Sequence, residues 1–144
     1  MQLILPATAA GFTLYHRDGP GALQFGESAA LNLGVTYGLK YTVDEKRPKG
    51  GGQSFPSGHT SVSFASAEFL RKRYGWAYGA PAYALASFVG FSRVEPKAHY
   101  IHDVLAGAAI GIGSSYLVTE PYEGWGVRME AEGGRYILNL SRRF

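Results

Sequence analysis

The polar residues that stand inside apolar stretches of this chain fall into three blocks. The first is Lys40, six residues, then Arg47 and Pro48; the second is Pro56-Ser57-Gly58-His59; the third is Ser92-Arg93, five residues, His99, three residues, then Asp103. One compact ammonium and two planar guanidinium groups are strong phosphate donors. Ser57 suits the cap of a helix start, where free backbone N–H groups and the positive dipole end favour an anion, and Gly58 lets that anion approach the backbone closely. The i, i+4 spacing of His99 and Asp103 puts both on one helix face. A carboxylate held there fixes the tautomer of the imidazole and leaves the opposite ring nitrogen as a base or nucleophile.

Taken singly, each block has an ordinary reading. Lys40 and Arg47 suit a solvated helix end, Ser57 a plain cap with His59 on the surface, and His99 with Asp103 a surface pair. Together they converge on a phosphate-sized anion. His59, His99, His102 and Asp103 are also ligand types for zinc or iron, but Lys40, Arg47 and Arg93 would repel a cation, so no metal is expected. His16 reads as a surface loop residue and His102 as a neighbour packing beside the site, while Trp76 and Trp125 read as packing or interfacial anchors.

A chain of 144 residues has room for one domain, 1–144. It is 46% hydrophobic, 14% aromatic and 17% charged, which excludes a disordered chain. Fourteen Lys and Arg against eleven Asp and Glu give a net charge of +3, too mild for a dedicated nucleic-acid binder and better suited to an anionic small molecule or lipid. With no cysteine there is no disulfide framework and no thiolate chemistry. The longest stretch free of Asp, Glu, Lys and Arg, 74–92, carries Gly79, Pro81 and Gly90. With a mean hydropathy of only −0.08 for the chain, that stretch reads as a buried, membrane-adjacent helix. The apolar start lacks the basic region of a secretory signal.

These blocks need helices to hold them. Residues 2–15 suggest a short helix or apolar arm, broken from the next element by His16-Arg17-Asp18-Gly19-Pro20-Gly21. Apolar runs predict helices over 22–43, 57–74, 76–92 and 98–119, the first and the last two of them mostly buried. Three successive glycines before Ser54-Phe55-Pro56 make 49–56 a loop. Gly107 and Gly111, like Ala109 and Gly113, have the small-residue spacing that lets helix backbones approach. Beyond residue 120, alternating Val127, Met129 and Ala131, then Gly133-Gly134, then Tyr136, Leu138 and Leu140 predict a β-hairpin. The fold class is therefore all-α, a compact bundle core of about five helices with a short C-terminal β-hairpin.

The order K-x6-R-P, P-S-G-H, S-R-x5-H-x3-D resembles the tripartite signature of the type 2 phosphatidic acid phosphatase superfamily, which includes class A bacterial acid phosphatases and vanadium haloperoxidases. The resemblance covers about 22–118. Two features depart from it: only seven residues separate Pro48 from Pro56, and little chain precedes Lys40, so the fold is a minimal core or one completed by a second copy in a homodimer.

The resemblance implies a metal-independent phosphatase that needs no cofactor and acts on phosphate monoesters or diphosphates, of lipids such as phosphatidate, isoprenyl diphosphate or lipid A, or of small molecules. It implies His99 as the nucleophile forming a phosphohistidine, Asp103 as its orienting carboxylate and His59 as general acid. Lys40, Arg47, Ser57, Gly58 and Arg93 would bind the phosphate. It also implies a bacterial inner-membrane or periplasmic setting with the site facing outward. The same pocket would serve a vanadate-dependent haloperoxidase, or survive in a catalytically silent envelope interaction protein.

Overall fold

The structure, a computed structural model, describes residues 3–122 with their side chains. They form five helices: α1 Ile4–Tyr15, α2 Gly19–Val43, α3 Gly58–Tyr74, α4 Trp76–Val94 and α5 Ile101–Val118. The mostly helical architecture expected from the sequence is what is found. The hairpin expected in the tail falls on residues beyond those described.

Boundaries move where local chemistry outweighs the apolar pattern. Helix α2 begins at Gly19, three residues before the expected 22, because Pro20 sits in its first turn and the Asp18 carboxylate accepts from the Gly21 N–H at 2.9 Å. The Gly-Pro-Gly run is thus a helix start, where the sequence pattern suggests a break. Helix α5 begins at Ile101 instead of 98, with the Tyr100 N–H donating to the Asp103 carboxylate at 2.8 Å. The loop between α2 and α3 turns on Gly50, Gly51 and Gly52, whose φ values of 81°, 76° and 59° would strain any residue with a Cβ.

Helix α3 packs against all four others and supplies more of the buried residues than any other element. Its closest neighbour is α5, and glycine makes that crossing possible. A Cβ on Gly107 would strike the Ser57 carbonyl, and one on Gly111 the Ser61 carbonyl. Gly113 has nothing within 4 Å, so of the two small-residue spacings the first one forms the contact.

Around an apolar core of Leu5, Ala9, Ala67, Phe69, Leu70, Ala82 and Ala86, the outer helices turn many large apolar side chains outward. Helix α2 buries Ser28, Asn32 and Thr36 and exposes Leu23, Leu31, Leu33, Val35 and Tyr37. Helix α4 exposes Leu85, Phe88 and Phe91; α5 exposes Ile101, Leu105 and Leu117 while burying Ser114 and Ser115. This corrects the expectation that these apolar helices are buried. Around one central helix each outer helix has a single inward face, and the small and polar residues that pack closely have taken it. Helix α5 is long and apolar enough to cross a membrane.

At the end of α3 remote from its glycine-led start, Asp18 and Arg73 form a buried pair. Arg73 donates to the carboxylate from Nε at 2.7 Å and from the guanidinium end at 2.5 Å, and the Tyr74 hydroxyl donates at 3.0 Å. Arg73 also donates to the Glu120 carbonyl at 2.9 Å, tying the segment after α5 to the same point. His16, expected on a surface loop, is instead half-buried, with its ring stacked on Tyr74 at 5.3 Å.

Candidate active site

All three sequence blocks meet at one end of the bundle. Lys40 comes from the last turn of α2, Arg47 from the following loop, Ser57 to His59 from the start of α3, Arg93 from the last turn of α4, and His99 and Asp103 from the start of α5 and the turn before it. His59, half-buried, feels the charges of Arg93, His99, Arg47 and Lys40 together. Arg93 is far in sequence from Lys40 and Arg47, and the three converge because α2, α4 and α5 all end or begin around the same end of α3.

Those three cations have no carboxylate partner among the described residues. What they do contact is neutral and distant. Lys40 Nζ donates to the Gln53 and Ser54 carbonyls at 3.4 Å, Arg47 Nε to the Gln53 carbonyl at 3.4 Å, and Arg93 to the Ser92 hydroxyl at 3.3 Å. Hydrogen bonds at this length are weak, so most of the donor capacity is uncommitted.

The start of α3 adds backbone donors. Ser57 precedes the first turn as expected, yet its side chain makes no cap bond; its hydroxyl pairs instead with Thr60 Oγ1 at 2.9 Å. The N–H groups of Gly58 and His59 therefore keep their orphan character at the positive end of the helix. Packing does not demand glycine at 58, since a Cβ there would meet only the Thr36 methyl, at 3.8 Å, among the described residues.

His99 is buried, with ring Nδ1 3.5 Å from Asp103 Oδ2 and its backbone N–H donating to the Arg93 carbonyl at 3.1 Å. Burial, opposed by the Asp103 carboxylate and aided by the Lys40 and Arg47 charges, holds the His99 imidazole below the ordinary histidine range. A neutral ring is the form that can attack an electrophile. Asp103, wholly buried, is held on one side: Oδ2 accepts from the Ser54 hydroxyl and the Tyr100 N–H, and the Asp103 carbonyl accepts from the Ser57 N–H at 3.0 Å. That last bond joins the His99–Asp103 pair to the start of α3.

Two residues escaped sequence reasoning. Ser54 is buried against Asp103 only because the glycine loop folds back, and a lone serine in a loop carries no periodic signal. Glu45 reaches His102, whose Nε2 lies 3.0 Å from both its carboxylate oxygens. His102, expected to pack beside the site, stands more than half exposed and stacks on Tyr100 at 5.2 Å.

Comparison with known proteins follows the same lines. The PAP2 superfamily profile matches residues 49–124, which takes in the second and third blocks and leaves Lys40 and Arg47 just outside. Over 88 residues the chain is 42% identical to a lipid A 1-phosphatase of Porphyromonas gingivalis, covering 58% of this chain and 20% of that protein. Over 131 residues it is 32% identical to a lipid A 4'-phosphatase of Helicobacter pylori, covering 83% of this chain and 66% of that one. Its fold is similar to that of the transmembrane PAP2 type phosphatidylglycerolphosphate phosphatase from Bacillus subtilis, with a TM-score of 0.64 and 26% identity over 80% of this chain and 65% of that chain. The chain thus spans from a fifth to about two thirds of the length of these relatives. A matched segment holding the Pro56–His59 and Ser92–Asp103 blocks, on helices that follow those of a solved member, makes this chain a member of the PAP2 superfamily.

Proposed function

We propose that this chain is a metal-independent phosphatase that removes phosphate from lipids through a phosphohistidine. The observation that carries this reading is the meeting of three unpaired cations and two histidines at one helix start, backed by a buried carboxylate. With Nδ1 turned to Asp103, His99 attacks phosphorus through Nε2; an N–P bond forms as the P–O ester bond breaks. His59 donates its proton to the departing alkoxide, then takes one from the water that cleaves the N–P bond. Asp103 holds the His99 ring and offsets its charge while the phosphoryl group is attached. Lys40, Arg47, Arg93, the Ser57 hydroxyl and the Gly58 N–H surround the three equatorial oxygens, on which charge accumulates in phosphoryl transfer.

A lipid substrate fits the surface. Leu33, Val35, Tyr37 and Tyr41 lie outward on α2 toward Lys40, and Phe88 and Phe91 on α4 just before Arg93. Apolar side chains facing outward over polar ones suit a bilayer as solvent, with the helices spanning and the phosphate site at the headgroup level. The named activities of the relatives favour lipid A phosphates and other lipid phosphates as substrates. A bacterial inner membrane with the site facing outward, a homodimer and a tail hairpin belong to the same reading. So does a single catalytic unit over 1–144.

The test is phosphate release by the chain purified in detergent, with lipid A, phosphatidylglycerolphosphate, diacylglycerol pyrophosphate and a soluble aryl phosphate as substrates. Turnover of a lipid phosphate that persists in chelator and is blocked by vanadate is expected. Absence of release from all four, or halide oxidation on adding vanadate and peroxide, would overturn the reading.

A further inference from the structure

One cluster beside the site has no part in that chemistry. His102 Nε2 lies 3.0 Å from both carboxylate oxygens of Glu45 and 3.2 Å from Asp103 Oδ1, and one ligand atom from each residue falls within 4.8 Å of the others. A hydrogen-bonded His102–Glu45 pair accounts for two of the three groups. It does not account for Asp103 Oδ1, which is wholly buried and accepts no hydrogen bond among the described residues, while Oδ2 of the same carboxylate takes the Ser54 hydroxyl and the Tyr100 N–H. A single proton on Nε2 serves Glu45 and leaves Oδ1 bare. A cation between the three groups serves all of them.

We propose that Glu45, His102 and Asp103 form a binding site for a divalent transition-metal ion of the zinc type, on the side of Asp103 turned away from His99, and that its occupancy slows phosphoryl transfer. The donor set is one imidazole and two carboxylates, which suits zinc; magnesium and calcium prefer shells of oxygen alone. Tetrahedral zinc, with bonds of about 2.0–2.1 Å, sets its ligand atoms roughly 3.3 Å apart; the 3.0 and 3.2 Å spacings from His102 Nε2 are already close to that, and the two carboxylates, within 4.8 Å of each other, would close around the ion. The His102 ring is already oriented by its stack on Tyr100, 9° from parallel. It is 56% exposed and Glu45 32% exposed, which gives the ion a path from solvent and a position for a water ligand. Two negative charges offset the repulsion from Lys40, whose charge acts on Asp103.

The regulatory part rests on the roles given above to His99 and Asp103; the binding part does not. A metal on Oδ1 draws electron density from the carboxylate, which then offsets a charged His99 ring less well. The experiment uses the full chain in detergent, stripped with chelator, with two readouts. Zn²⁺ binding is measured by competition with a chromophoric chelator and by the visible absorption of Co²⁺, and phosphate release from a soluble aryl phosphate is measured across the same titration. Wild type is expected to bind one ion per chain with a tetrahedral Co²⁺ spectrum. His102→Ala and Glu45→Gln should each bind at least about tenfold more weakly. Release by wild type should fall in step with occupancy, and each variant, relative to its own metal-free rate, should need correspondingly more Zn²⁺. Glu45→Gln, at a half-exposed loop residue, keeps the test open should His102→Ala fail to fold. Failure of wild type to bind Zn²⁺, or equal binding by both variants, overturns the site. Binding without slowing overturns the regulation alone. Binding by a chain that releases no phosphate from the aryl phosphate or from any of the three lipid substrates leaves the site standing and removes the phosphatase reading instead.

Discussion

The two ends of α3 each hold a buried aspartate beside a basic side chain, and they are built to opposite specifications. At the far end Asp18 is fully partnered: Gly21 N–H, two donors of Arg73 and the Tyr74 hydroxyl fill its acceptor sites. At the near end Asp103 Oδ1 and His99 Nδ1 are buried without a hydrogen bond among the described residues, and three cations nearby lack a carboxylate. A satisfied buried pair is a fastening, whose removal of one partner is costly. Buried ionisable groups left short of partners cost stability and mark candidate functional sites. On this comparison the far end holds the bundle together, and the near end is where the proposed chemistry belongs.

Variants that separate stability from turnover can break the contrast. The largest effect expected is His99→Ala, which should lower phosphate release by at least about 10³-fold with an unchanged melting temperature; release within a few-fold of wild type would remove the near end from the chemistry. Next comes Arg73→Met. It strands the Asp18 charge and should cost about 3–5 kcal/mol of stability by denaturant titration, while the folded fraction, assayed in the cold, turns over at the wild-type rate. A collapse of turnover per folded molecule would mean that the two ends are not independent.

Ser54→Ala removes one donor to the Asp103 carboxylate, a hydrogen bond to a charged group of about 1.5–3 kcal/mol. Steady-state kinetics should show kcat down by roughly ten- to a hundredfold with KM unmoved; a change in KM alone would assign Ser54 to substrate binding.

Much of this was legible beforehand, for physical reasons. Residues that must meet an anion at a helix start keep fixed spacing within their own element, so Ser57 with His59, and His99 with Asp103, are visible in one dimension. The order of the helices is equally visible, because Pro48, Pro56 and Pro96 interrupt them and apolar runs fill the intervals. Ser54 and Glu45 were not legible, since both reach the site only through the closure of a glycine-hinged loop, and no periodicity records where a loop returns. The outward direction of Leu33, Phe88 and Leu105 was misread because hydrophobic character was equated with burial. That equation fails on α2, α4 and α5, whose inward faces are taken largely by small and polar residues.

Two smaller effects sharpen the contrast. Burial raises the Asp18 carboxyl, but the Arg73 guanidinium, the Gly21 N–H and the Tyr74 hydroxyl outweigh it and hold the group below its ordinary 3.8. A carboxyl depressed in the folded state gives stability that is present above 3.8 and lost as pH falls through the lower folded value. The stability gap between wild type and Asp18→Asn should therefore be full at pH 7 and close on acidification below about pH 4, followed by thermal melts; a gap that persists in strong acid would mean that shape, not charge, is the fastening. Smallest is Gly58→Ala. With only ordinary contact awaiting the new methyl, stability should move by less than about 1 kcal/mol, while KM for the phosphate substrate rises several-fold. An unchanged KM would show that the substrate does not approach that stretch of backbone.

At Gly107 and Gly111 the main chains of α3 and α5 touch with no side chain between them, and a joint of that kind has no slack. A methyl group there would work as a shim. Gly107 is one turn below Asp103 and Gly111 two turns, so the wedge would tilt the whole start of α5 and carry the imidazole off the axis of its target. In the proposed reaction, two hydrogens at the waist of the bundle thus set the aim of the attacking ring above them, and enlarging either would misdirect it without touching a single charge.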